Sequence, residues 1–330
     1  MKFHVEAWSP GYGASRDAER GPAEPSSAKL DTNIEVDAKR WKPLDPAREA
    51  SCPERVLLVD GVRRTDARLW IGEHPGLACS YAAGVVECVP GAARVAETQV
   101  QRTIFTSAEE VSDVGSAPAR YRAESILGAD EGDLANAVQR SLIELEIKVS
   151  WAQRDDGDLL IVDGPLRSRD ALPRTLGYVK AQQKQYLPDK LIGVVTSLKP
   201  GQRTPVFRIA GVYERLTWYV RLPGGGGPPW AGMVRVECSA DVPEDEAIRL
   251  ADLSAVTIPR YASVSYKDPR APQNLVPIAG LEKRLRQLLG DAKLLHRTLV
   301  RAAAGQPHIP RQPLVDPGDA EDGGTLTRLQ

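Results

Sequence analysis

Two short apolar runs, RVLLVD at Arg55–Asp60 and LLIVD at Leu159–Asp163, each deliver an aspartate and then a glycine. Runs of this length suit strands covered on both faces rather than helices. Two such strands side by side would bring Asp60 and Asp163 together at their carboxyl ends. Adjacent carboxylates repel, and a divalent cation relieves that repulsion while supplying a Lewis acid. The simpler reading of each site is that Asp-Gly is a favoured turn dipeptide. The matching contexts LLVDG and LIVDG raise the pair above that reading.

The segments around these runs predict the architecture. Ala67–Ile71, Leu77–Val89 and Arg94–Thr106 read as strands of an antiparallel meander, punctuated by Gly and Pro. Asp133–Gln153 then reads as a helix with Asp133 as N-cap, and Leu134, Val138, Leu142, Leu145, Val149 and Ala152 on one face. Leu176–Lys180 is a further strand and Leu191–Ser197 a flanking element. Pro205–Ala210, Arg215–Leu222 and Gly232–Cys238 follow as strands, the last two joined by a hairpin loop at Gly224–Pro229. Glu244–Val256 and Leu275–Leu289, continuing past Gly290 to Ala303, are helical.

Three antiparallel strands, a helix and a strand returning beside the first give the chain order of an RNase H-like fold. The expected class is α/β: an RNase H-like mixed sheet flanked by helices, with added β-hairpin strands and C-terminal helices. Residues 1–50 are expected to be an N-terminal segment with a flexible linker at Gly21–Lys29, 51–304 one domain, and 305–330 a disordered tail. Within the helix, Glu144 and Glu146 flank the apolar stripe on opposite sides. Glu146 lies nearer its buried centre, and Glu144 is the alternative third carboxylate.

Charge narrows the ways in which such a site could meet a substrate. Forty-three Lys and Arg against forty-four Asp and Glu leave a net charge of −1. Proteins that bind nucleic acid unaided carry a basic excess, so DNA contact here must be local, or a partner must deliver the strand. The sequence has no bilayer-length apolar run and Met1–Ala7 no apolar signal region, so a cytoplasmic protein without a membrane partner is expected. Cys52, Cys79, Cys88 and Cys238 form no CxxC pair and read as reduced thiols. His4, His74, His296 and His308 lack zinc spacing, and Gly224–Gly227 lacks the GK[ST] ending of a phosphate loop.

VDGVRR (Val59–Arg64), the glutamate-bearing helix, IVDGPL (Ile161–Leu166), GYVK (Gly177–Lys180) and DPRAPQNLVPIAG (Asp268–Gly280) together resemble the NurA nuclease family. The resemblance spans roughly residues 55–290 and makes the 51–304 domain NurA-like. It implies a metal-dependent DNA nuclease, acting as a 5'–3' exonuclease, a single-strand endonuclease or both, in end processing and repair. Mn2+ is the implied cofactor, with Mg2+ the alternative. The implied partners are DNA, a HerA-like hexameric ATPase and a second copy in a homodimer. By motif match Asp60, Asp163 and Glu146 would be catalytic metal ligands. Where the family carries Tyr-Pro this sequence has Asp268-Pro269, which makes Asp268 a substitute ligand, and the family histidine that follows is absent from Gln273–Glu282. Arg63, Arg64, Lys180 and Lys184 are candidate phosphate contacts. The rival reading is a catalytically silent adaptor subunit of a DNA motor.

Overall fold

The computed structural model describes residues 24–25, 28–128, 130–155, 157–169, 172–180, 184–211, 213–224 and 229–304. In chain order the strands are β1 (Glu24–Pro25), β2 (Lys29–Asp31), β3 (Val56–Ile71), β4 (His74–Val89), β5 (Ala92–Thr106) and β6 (Arg122–Ser125), then β7 (Leu159–Asp163), β8 (Thr175–Val179), β9 (Lys184–Gln185), β10 (Phe207–Ala210), β11 (Arg215–Arg221) and β12 (Met233–Ser239). The helices are α1 (Glu131–Trp151), α2 (Asp189–Thr196), α3 (Glu244–Thr257), α4 (Val276–Leu288) and α5 (Ala292–Ala304).

Ten strands form one sheet in the order β2-β10-β11-β12-β8-β7-β3-β4-β5-β6, while β1 and β9 form a separate parallel pair. β3, β4 and β5 are antiparallel. After α1 the chain returns as β7, parallel to β3, and β8 lies parallel to β7. Three antiparallel strands, a crossover helix and two parallel strands beyond the first make the fold RNase H-like. The antiparallel strands β10 to β12 continue the sheet, with β12 antiparallel to β8.

Side-chain alternation sorts the central strands into two layers. Leu57, Val59, Leu160 and Val162 pack under α1 against Leu134, Val138, Leu142, Leu145 and Val149. Val56, Leu58, Leu159 and Ile161 face the other way, onto Leu250 of α3 and Ile278, Leu281 and Leu285 of α4. All four residues from Val56 to Val59, and all four from Leu159 to Val162, are fully buried, as expected of parallel neighbours covered on both faces.

Several expectations need correction. Asp60-Gly61 is not a turn: β3 runs unbroken for 16 residues and takes in the strand expected separately at Ala67–Ile71. β4 pairs with it straight through, Asp60 opposite Gly84 and Gly61 opposite Ala83, so cross-strand pairing overrides the local turn preference. The N-cap of α1 is Asp130, whose carboxylate accepts the Asp133 N–H at 2.7 Å, and Ala152 is exposed. α4 and α5 are separate helices broken at Gly290. β2 begins inside the stretch expected as a linker and pairs with β10. Beyond it, Glu35 grips the buried Arg203 at 2.8 Å and Trp41 is buried. The expected tail lies outside the described residues, as do His4, His308 and 225–228 of the expected hairpin loop. Of the four free thiols Cys52 is half-buried and the other three are buried.

Candidate metal centre on the aspartate strands

Asp60 sits in the interior of β3 and Asp163 ends β7. Val59 pairs with Val162 in parallel register, so the next positions along the two strands are the aspartates. Both are half-buried. By alternation they project from the face that carries Leu58 and Ile161, toward the α4 side.

Glu146 arrives from α1, on the other face, and packs against Gly61, the residue after Asp60, because Gly61 has no side chain. A Cβ at residue 61 would collide with Glu146 Oε1 and stand 2.7 Å from Leu142 Cδ1. Gly61 therefore serves close approach, whereas Gly164 makes a true turn, with a φ of +110°. Burial and the neighbouring charges of Asp163 and Glu146 push the Asp60 carboxyl well above the usual range, against the opposing effects of Lys180 and the Gly61 N–H. Burial likewise raises Glu146, opposed by Arg169 and reinforced by Asp163.

Two cations stand among these carboxylates. Arg169, buried in the 3-10 turn Arg167–Arg169 that follows β7, pairs with Glu146 and donates to the Pro165 carbonyl at 3.1 Å. Lys180 Nζ lies 2.7 Å from Asp163 Oδ2 and 3.3 Å from Asn274 Oδ1. Asn274 in turn donates to Asp268. Asp60 accepts the Gly61 N–H at 2.8 Å and pairs with no Lys or Arg among the described residues.

The remaining expected residues divide by place. Glu144 is exposed and lines a separate cavity of about 380 Å³ with Tyr81 and Lys148. Asp268 is linked to Asp163 through Asn274 and Lys180. Burial disfavours its charge, but hydrogen bonds from Asn274 and the Arg270 N–H, with the charges of Arg270 and Lys180, hold it below the ordinary range. Arg63 is exposed on β3. Arg64 instead caps the end of α4, bonding Asp66 at 2.8 Å and the carbonyls of Gly290 and Leu289 at 2.8 and 3.4 Å. The side chain of Lys184 lies outside the described residues. Sequence reasoning missed Arg169 and Asn274. Asn274 lies inside the quoted Asp268–Gly280 segment, but Arg169 sits in an RSRD stretch that looks like solvated surface.

Hard oxygen donors in a half-buried, electronegative setting fit a divalent cation such as Mg2+ or Mn2+. Asp60 and Asp163 meet that requirement as they stand. Among the described residues no group of three or more His, Cys, Asp or Glu is placed to hold a metal ion, and Glu146 is paired with Arg169.

No family model matches the chain, and no curated protein matches its sequence. It resembles NurA in fold. The chain is similar to the NurA nuclease of Sulfolobus solfataricus, at 11% identity over 81% of this chain and 89% of that one, with a TM-score of 0.49. It is similar also to the endonuclease V of Bacillus subtilis, at 12% identity over 76% and 83% of the two chains, with a TM-score of 0.33. A NurA structure bound to dAMP and manganese matches 41% of this chain and 24% of that one, at 14% identity and a TM-score of 0.20.

Proposed function

We propose that the protein is a metal-dependent deoxyribonuclease acting in DNA end processing. One observation supports this above all: Asp60 and Asp163 lie at adjoining register positions, with the Glu146 carboxylate against Gly61, the residue after Asp60. Placing Asp60 and Asp163 side by side costs folding energy through desolvation and repulsion, which a functional requirement for a cation explains. Bound there, Mn2+, or Mg2+ in its place, would supply a Lewis acid and lower the pKa of water. Asp60 and Asp163 would hold it. Lys180, fixed by Asn274 and indirectly by Asp268, keeps Asp163 in its rotamer. Arg169 holds Glu146 at the edge of the site, and the exposed Arg63 is available to a phosphate. With a net charge of −1 the protein attracts DNA weakly at long range. Delivery by a HerA-like hexameric ATPase to a homodimer would supply the missing local concentration.

Asp60→Asn and Asp163→Asn are each expected to reduce manganese-dependent DNA cleavage to background while the circular dichroism spectrum stays native. Cleavage at the wild-type rate in either variant would remove the nuclease site from this location. A second reading, a silent adaptor for a DNA motor, draws on the pairs Arg169–Glu146 and Lys180–Asp163, which already neutralise two of the three carboxylates. Manganese titration followed by thermal melting separates the two. A metal-induced rise in Tm that disappears in Asp60→Asn supports the nuclease, and no rise together with no cleavage supports the adaptor.

A further inference from the structure

Between the 3-10 turn Ile258–Tyr261 and α4, the chain forms a loop closed at its base by the bridge between Ala262 and Leu275. The loop is fastened to the aspartate site at two points. Tyr178 of β8 donates its hydroxyl to the Gln273 carbonyl at 2.7 Å, and Asn274 links Asp268 to Lys180, the partner of Asp163. Inside the loop the N–H groups of Lys267 and Asp268 both turn back to the Val264 carbonyl, at 2.9 and 3.1 Å. That turn displays residues 264–267 outward. Tyr266 is 81% exposed, Val264 is exposed beside it, and Lys267 Nζ stands 5.5 Å from the Tyr266 ring centroid.

An exposed aromatic ring on a loop fastened to a site, with an ammonium beside it, suits a nucleotide: the ring takes a base and the cation its phosphate. Tyr266 is two residues from Asp268, so their Cα atoms are at most about 7 Å apart. A base inside a duplex has both faces covered by its neighbours, so only an unpaired or extruded base can use such a ring. We propose that Tyr266 is a base-stacking residue that positions an unpaired nucleotide of the DNA strand at the Asp60–Asp163 site, with Lys267 contacting the adjoining phosphate. This rests on the nuclease reading and adds to it a preference for single-stranded or frayed DNA.

The test is equilibrium binding in EDTA, by fluorescence anisotropy, of a labelled single-stranded oligonucleotide and of the same sequence as a blunt duplex. Tyr266→Ala is expected to weaken single-strand binding about tenfold, the scale of one lost base stack, with duplex binding unchanged. Tyr266→Trp is expected to restore it. A fluorescent adenine analogue in the strand should be quenched on binding to the wild type and not to Tyr266→Ala. Wild-type affinity in Tyr266→Ala, equal losses on both DNAs, failure of Trp to rescue, or no single-strand binding by the wild type would each overturn the proposal. The assay needs neither metal nor turnover, so a wild type that stacks the base but cleaves nothing would reject the nuclease reading alone.

Discussion

The carboxylate of Glu146 occupies the space that a side chain at residue 61 would fill. A helix on one face of the sheet thereby brings a carboxylate against the residue that follows Asp60, and glycine at that one β3 position permits it. Gly61→Ala is expected to push Glu146 and Leu142 aside, costing about 1–3 kcal/mol, the usual penalty for overpacking a filled core. Denaturant unfolding measures the loss. Cleavage should fall in the same variant, while Gly193→Ala on α2, where an added Cβ meets nothing, should leave cleavage intact.

The buried pair of Glu146 and Arg169 gives a second prediction. Arg169→Met strands a buried carboxylate and is expected to cost about 3–5 kcal/mol, whereas Arg169→Met with Glu146→Gln should recover much of that loss. A double-mutant cycle of unfolding free energies checks it; additive losses would mean that the pair is not coupled. On activity, Glu146→Gln should act far more strongly than Glu144→Gln, because Glu144 is exposed away from the aspartates.

A third prediction concerns acid stability at the far end of the sheet. Hydrogen bonding from Arg55, outweighing partial desolvation and aided by Arg94, holds Glu87 below its ordinary value of 4.5. Arg55 also reaches Asp158, so one guanidinium joins the start of β3, the end of β4 and the approach to β7. For a carboxylate depressed in the folded state, the stabilisation is present above the unfolded pKa and lost as pH falls through the folded one. Glu87→Gln is therefore expected to lower Tm at pH 7 and to flatten the dependence of Tm on pH below about 4.5, near the reference glutamate value. Parallel Tm–pH curves for the two proteins would contradict it.

Local patterning made much of this legible. Apolar runs marked β3 and β7, and helical spacing put Glu146 nearer the buried centre of the stripe than Glu144; Glu146 is buried and Glu144 exposed. What local signals hid was set by pairing between distant segments. Asp60-Gly61 has turn chemistry, yet pairing with β4 straight through it keeps it extended. The bonds of Arg64 to the carbonyls of Leu289 and Gly290 could not be read from its own segment, because those residues lie more than two hundred positions later. Arg169 is charged and flanked by charge, and only the buried Glu146 explains its burial.

The strands added beyond β8 have a consequence for how the molecule could have been assembled. Val56, Leu58 and Ile161 of the aspartate strands share one apolar cluster with Trp218, Val234 and Val236 of the extension and with Leu281 and Leu285 of α4. Among the described residues no seam divides the aspartate strands from the rest, so a fragment ending after β8 would open its own interior to water. Such a molecule should melt as one cooperative unit and offer a protease no nick that releases a working half. The extension is thus not an appendage that a lineage could acquire or shed freely; once the cluster was shared, losing it meant losing the fold.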